Sequence, residues 1–285
     1  MACKTRTHVE MDLEQRKNKS HLISLWKTSG FSLVELLVVI AIIAVLSSLM
    51  LTGFNEAKQR ALSVKCKSNL HQLTLAWEMY TSDNDDELPP NNFVFFWPGL
   101  TTTGDLNSWC RGNAQTEVGT DSIKTGLLWD YNRTLGIYRC PSDKARVKAA
   151  SGQLIPDSKR NRSYNMSGSI NCDVTKTDIP DYRKKSQISR PQPSQFFVFI
   201  DTDEDAIQGS HFMVFPDGFL PRPTWGDLPS DRHSRGANLS FADGSVRNWK
   251  WNSPKKWKQF GQTAIQNDAV DLRRLQRSVK PLSNL

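Results

Sequence analysis

The sequence has few of the marks that identify an enzyme or a metalloprotein. No G-x-S-x-G, H-E-x-x-H or Walker A pattern occurs, so the commonest hydrolase, metalloprotease and nucleotide-binding signatures are absent. There is no CxxC pair and the five histidines are scattered, which gives zinc little support. Long apolar runs are equally scarce. The mean hydropathy is negative, excluding a multi-span membrane protein, and a single apolar run stands out among 285 residues. The expectation is a chain that is not an enzyme and is mostly water-soluble, with room for one ordinary domain or two small ones.

That run is KTSGFSLVELLVVIAIIAVLSSLM, Lys27 to Met50. From Phe31 to Leu51 only Ser32, Glu35, Ser47 and Ser48 interrupt it. About 20 such residues at ~1.5 Å rise match a ~30 Å hydrocarbon core, so residues 31–51 are predicted to be one transmembrane helix. The net charge is +8, and residues 1–30 carry +3 of it: Lys4, Arg6, Arg16, Lys17, Lys19 and Lys27 against Glu10, Asp12 and Glu14. The positive-inside rule then places residues 1–30 in the cytoplasm and the bulk of the chain across the membrane. A secretory signal would end in a small-residue cleavage site, whereas here the glycine precedes the apolar run. Glu35 is the anomaly. An unpaired carboxylate in a bilayer costs at least ~2.5 kcal/mol, so an intramembrane glutamate asks for a partner.

SGFSLVELLVVIAIIAVL resembles the N-terminal signal of type IV prepilins and type II secretion pseudopilins. The resemblance implies that a prepilin peptidase removes residues 1–30 by cutting after Gly30 and methylates Phe31. It further implies that the Glu35 carboxylate pairs with the amino terminus of a neighbouring subunit as a homo- or hetero-polymer grows from an inner-membrane assembly platform. The leader is long for that family, and Met11 offers an alternative start that leaves 20 residues before the cut.

Beyond the run, Leu62, Cys66, Leu70, Leu73, Trp77 and Tyr80 recur at steps of three and four, predicting one helix from Ser32 to Tyr80 that is apolar all round in its first half and amphipathic in its second. Gly53 at the junction is a candidate bend. TSDNDDELPPNN ends the helix. Its acids Asp83, Asp85, Asp86 and Glu87 offer oxygen ligands of the kind calcium takes, yet the glycine and terminal glutamate of an EF-hand loop are missing, and a solvated turn is the simpler reading. The region to about residue 190 is loop-rich, with short candidate strands GLLWDY, IYRC and SYNMSG and a basic excursion from Lys144 to Arg162. Four cysteines follow Gly30: Cys66, Cys110, Cys140 and Cys172. In an oxidising compartment a disulfide is the better use of them than a metal, and Cys110 with Cys140 is the first pair expected, while Cys66 suits a buried small hydrophobe.

QFFVFIDTDED reads as a buried strand, and ANLSFADGSVRNW as a hairpin turning at Asp243-Gly244 in type I′ geometry. His233, nine intervening residues and Asp243-Gly244 resemble the processing-associated H-X9-DG domain of prepilin-like proteins. Asp201, Asp203, His233 and Asp243 could bind a divalent ion or do acid–base work, but hairpin geometry and a backbone-bonded histidine account for them more simply. Lys250, Lys255, Lys256 and Lys258 lie among Trp249, Trp251 and Trp257, read as a solvated face anchored by tryptophans, with no nucleic-acid motif beside it.

The expectation is an α+β, pilin-like chain: leader 1–30, long helix 31–80 and exported head 81–285 on a small antiparallel sheet, inner-membrane and single-pass, with the head in the periplasm. It binds no nucleic acid and acts as a structural subunit of a pilus or pseudopilus. The alternative is a membrane-tethered adhesin or a carbohydrate or secretion-substrate receptor, favoured if several of the nine tryptophans are exposed. A metal-dependent hydrolase using Asp201 and His233 is the third reading.

Overall fold

The computed structural model describes residues 30–96, 101–172 and 179–282, and the leader up to residue 29 lies outside them. Helix α1 runs Leu33–Asp83, 51 residues, continuing through Gly53 without a break. The chain divides into two compact units, Met1–Phe54 and Asn55–Leu285, so the apolar part of α1 and the head are separate bodies joined by one helix.

In the first unit the described large apolar side chains of α1 are all exposed, from 43% at Val39 to 80% at Leu33. Among the described residues no helix is long and apolar enough to cross a membrane. The span expected over 31–51 is therefore not shown by the described part of α1, because the side chains at 49 and 51–53 lie outside it.

In the second unit the amphipathic half of α1 buries Cys66, Leu70, Leu73, Ala76 and Trp77, while Leu75 and Met79 on the opposite side stay exposed. The helix ends where Asp85 and Asp86 adopt left-handed φ of 49° and 68° and the Asp86 N–H returns to the Thr81 carbonyl at 3.1 Å, a closure that satisfies one of the helix's last carbonyls.

A five-stranded sheet packs on this half of α1. Its strands are β5 (Tyr164–Ser167), β6 (Phe197–Asp201), β7 (His211–Phe212), β9 (Gly236–Phe241) and β10 (Val246–Lys250), in the order β10-β9-β6-β5-β7. Pairing is antiparallel except at the edge, where β7 joins β5 in parallel. Smaller two-stranded pieces comprise β1 (Asn91–Phe96) with β2 (Thr101–Ser108), β3 (Arg146–Lys148) with β4 (Leu154–Lys159), and β8 (Thr224–Trp225) with β11 (Gln262–Thr263).

Strand β9 shows how two layers form. Ala237, Leu239 and Phe241 join a core with Trp249, Trp251, Leu272 and Leu275, covered by the C-terminal helix α2 (Asn267–Gln276). The alternate residue Asn238 instead donates to the Ser63 carbonyl of α1 at 3.4 Å, as strand periodicity requires.

Three local expectations are corrected. GLLWDY and IYRC form helical turns, Trp129–Asn132 and Leu135–Tyr138, not strands, as the chain doubles back with Gly126 too close to the Trp109 carbonyl for any Cβ. The hairpin turn is not type I′, since only Gly244 (φ 82°) has positive φ there. The Gly244 N–H bonds the Phe241 carbonyl and the Phe241 N–H bonds the Ser245 carbonyl, both at 2.9 Å, giving a three-residue loop with glycine in the left-handed position. The lysine–tryptophan segment is a solvated face only in part: Lys250, Lys256 and Lys258 are exposed, but Lys255 is not. Trp249 and Trp251 are core, and the Lys255 side chain is fully buried, its Nζ 2.6 Å from Asp268 and 2.7 Å from Asp271.

Candidate functional site

Two places are candidates for functional chemistry. The first is the entry to α1. Gly30 is exposed, has ordinary backbone geometry, and a Cβ built on it meets nothing within 4 Å. Phe31 is 72% exposed. Nothing in the fold demands glycine at this position, so any requirement for it comes from whatever reads the segment. Ser32 and Glu35 form a reciprocal cap: the Ser32 N–H donates to Glu35 Oε2 at 2.9 Å and the Glu35 N–H donates to Ser32 Oγ at 3.2 Å. The S-x-x-E spacing was legible as a capping box and gives Glu35 a local partner that the reading of the apolar run missed.

The second is a buried polar centre where four segments meet. Cys66 comes from α1, Cys140 from the turn after Tyr138, Asp201 from the end of β6 and His233 from the turn entering β9. One ligand-type atom from each lies within 4.8 Å of the others, and all four residues are buried. Cys140 Sγ is 3.2 Å from His233 Nε2, which is 3.3 Å from Asp201 Oδ2. Tyr164 donates its hydroxyl to Cys66 Sγ at 3.2 Å.

The surroundings are locally determined. Asn69, one turn beyond Cys66, donates to the Gly136 and Arg139 carbonyls at 3.2 and 2.9 Å and so fixes the turn that presents Cys140. Asp143 accepts from Ser163 Oγ at 2.6 Å and pairs with Arg232 Nη1 at 3.0 Å, while Ser163 Oγ accepts the Cys140 N–H at 3.0 Å. Arg232 also approaches Asp201 Oδ1 at 3.7 Å and donates to the Thr202 carbonyl. Burial pushes the Cys140 thiol up, opposed by its contact with His233. Burial acts to lower His233, but its close contacts with Asp201 and Cys140 and the Asp201 charge outweigh it and raise the imidazole to about 9. Neither Asp201 oxygen has a hydrogen-bond donor in good geometry.

These contacts correct the expected disulfide. All four cysteines after Gly30 are buried and remain thiols. Cys110 does not reach Cys140 and instead contacts the Arg111 carbonyl at 3.8 Å. Of the acids considered beside His233, only Asp201 joins it. Asp243 sits at the hairpin tip, accepting from the Ser245 N–H and hydroxyl at 3.0 and 2.6 Å. Asp203 caps its own loop through the Asp205 and Ala206 N–H groups. Gly244 presents its carbonyl to His71 of α1 at 3.3 Å, so the Asp-Gly turn docks the sheet against the helix.

The calcium candidates do not converge either. Asp86 accepts the Ser186 N–H at 3.0 Å, the Asp85 carbonyl accepts from Lys184, and Asp83, Asp85 and Asp86 form no metal-ligand cluster among the described residues. No described tryptophan is exposed: Trp77, Trp109, Trp225, Trp249 and Trp251 are buried and Trp129 and Trp257 partly so. Among the described residues, no tryptophan offers the exposed ring that sugar stacking would use.

Residues 27–51 match the prokaryotic N-terminal methylation motif. No curated protein and no solved structure matches the chain. The motif match supports a prepilin-type signal at the start of α1.

Proposed function

We propose that the chain is a structural subunit of a type II secretion pseudopilus or a type IV pilus-like filament. A prepilin peptidase cuts between Gly30 and Phe31 and methylates the new terminus. Residues 31–51, whose full apolar length is read from the sequence, hold the subunit in the inner membrane with its head in the periplasm until an assembly platform extracts it. The observation that carries this reading is the exposed Gly30–Phe31 bond at the head of an apolar helix within the matched methylation motif. In a filament the exposed apolar surface of α1 packs against its neighbours, and Glu35 is shared between its own cap and the amino group of an adjacent Phe31. The H-X9-DG pattern is then a docking device, His233 at the buried centre and Asp243-Gly244 against α1.

N-terminal sequencing and mass spectrometry of the protein from native membranes test processing. A methylated Phe31 is expected, and an intact terminus or a cut after the apolar run would sink the proposal. Glu35→Gln tests assembly, because glutamine preserves a capping-box acceptor for the Ser32 N–H while removing the charge. Cleavage should persist and filament incorporation should fail. Normal incorporation of the Gln variant would show that the charge does not set subunit register.

A further inference from the structure

We propose that the head binds a zinc ion between Cys66, Cys140, Asp201 and His233, and that this ion staples the amphipathic half of α1 to the sheet. The site goes beyond the filament reading and does not depend on it.

Geometry carries the case. A tetrahedral zinc with bonds of about 2.0–2.3 Å holds its ligand atoms about 3.3–3.8 Å apart. Cys140 Sγ and His233 Nε2 are 3.2 Å apart, His233 Nε2 and Asp201 Oδ2 are 3.3 Å apart, and the whole set fits within 4.8 Å. The donors are two sulfurs, one imidazole nitrogen and one carboxylate oxygen. That mixture suits zinc and is wrong for calcium or magnesium, which take oxygen.

Asp201 supplies a second, independent observation. Its side chain is 0% exposed, yet the cationic groups nearest to it, His233 Nε2 at 3.3 Å and Arg232 at 3.7 Å, are not aligned to hydrogen-bond either oxygen. A fully buried carboxylate without aligned donors is costly, whereas a cation bound directly to one oxygen offsets that cost. Tyr164, donating to Cys66 Sγ, is placed to steady a thiolate.

Binding releases three protons to solvent, one from each thiol and one from the His233 imidazolium, and leaves zinc held by two thiolates, one carboxylate and one neutral imidazole. All four positions are filled by protein, so the site has the closed form of a structural zinc and no place for a reacting water. Each ligand comes from a different segment, so the ion would tie the α1 helix, the Cys140 turn, β6 and the β9 entry at one point.

The test is metal analysis of the full chain purified in detergent with zinc sulfate present, followed by cobalt replacement. One zinc per chain is expected in the wild type and in Cys172→Ser, with loss in Cys140→Ser and His233→Gln. Cobalt should give tetrahedral d–d bands and a thiolate-to-metal charge-transfer band that falls by about half in Cys66→Ser if that variant still binds one cobalt. Should the ligand variants fail to fold, the wild-type and Cys172→Ser stoichiometry and cobalt spectrum still decide. The proposal is overturned by a metal-free wild type, by zinc content that ignores loss of Cys66 and Cys140 in folded variants, or by a Cys66–Cys140 disulfide peptide recovered from native membranes.

Discussion

Replacing Lys255 by methionine should cost the head about 3 kcal/mol, because the change removes a charge from the dry side of the sheet while keeping most of the side chain's volume. Lys255 Nζ bridges Asp268 and Asp271 at 2.6 and 2.7 Å with its own side chain fully buried, and it lies 5.2 and 5.3 Å from the ring centres of Trp225 and Trp251. Breaking a buried ion pair from one side typically costs about 3–5 kcal/mol, since the partner charge stays behind. The lower end applies here for a structural reason. Asp271 still accepts the Asn252 and Ser253 N–H groups at 3.0 and 3.1 Å, and Asp268 still accepts Trp225 Nε1 at 2.8 Å. For a domain of this size that loss corresponds to a fall in Tm of about 6–12 °C.

The pH dependence sharpens the test. Burial acts to raise the Asp271 carboxyl, but the Asn252 N–H, Lys255 and the Ser253 N–H together hold it below the usual carboxylate range. A depressed folded pKa contributes stability above the unfolded value near 4 and loses it as pH falls through the folded value. Lys255 supplies part of that depression, so the gap between wild type and variant should narrow on acidification below about pH 4. Near-UV circular dichroism of the full chain in detergent, melted at pH 7 and at pH 3.5, reads both effects. A variant melting within about 2 °C of wild type at pH 7, or a gap that persists unchanged at pH 3.5, would refute the bridging role assigned to Lys255.

Two further outcomes separate recognition from folding and test the second buried carboxyl. Gly30→Val should leave helix content and melting unchanged, since a Cβ there meets nothing, while immunoblots show unprocessed precursor accumulating; normal processing would mean that the segment is not read at that residue. Asp227 is raised to about 7 by burial, against the Met213 N–H that acts to lower it. Its contribution is therefore complete below the unfolded value near 4 and is lost as pH rises to about 7, a swing of about 4 kcal/mol that Asp227→Asn should abolish. The nearby His211, lowered by burial and by Arg162 to about 3, gives stability the opposite slope between about pH 3 and 6.5. The decisive quantity is thus the difference between wild type and Asp227→Asn across that range, which should shift in the variant's favour as pH rises. A flat difference would contradict the assignment.

Periodic and short-range features were legible because they depend on spacings the chain repeats. The stripe Cys66, Leu70, Leu73, Trp77 marks the face of α1 that is buried, and the alternation around Asp243-Gly244 marks the β9–β10 hairpin. GLLWDY and IYRC misled because short apolar runs do not distinguish strands from single helical turns, and there close backbone approach decides. The turn type at Asp243-Gly244 was also beyond local rules, since Asp-Gly serves both two- and three-residue loops. Lys255 resembles any surface lysine until α2 folds back to bring Asp268 and Asp271 to its amine.

The buried centre escaped for a deeper reason. Metal motifs are recognised when ligands lie two to five positions apart on one element, because such spacing alone aims them at a common point. Here each ligand is separated from the next by more than 30 positions, so only the completed packing of α1 on the sheet brings them together. The same fact recasts the cysteines. Their places beside candidate neighbouring strands suggested a Cys110–Cys140 bond, but the Asn69 bonds to the loop carbonyls fix the turn that sets Cys140 against His233, while Cys110 contacts the Arg111 carbonyl. A centre assembled only by docking the helix cannot form before the helix docks, and a ligand that closes it stabilises the docked state alone. Metal occupancy would therefore report directly on whether the amphipathic half of α1 is seated on the sheet.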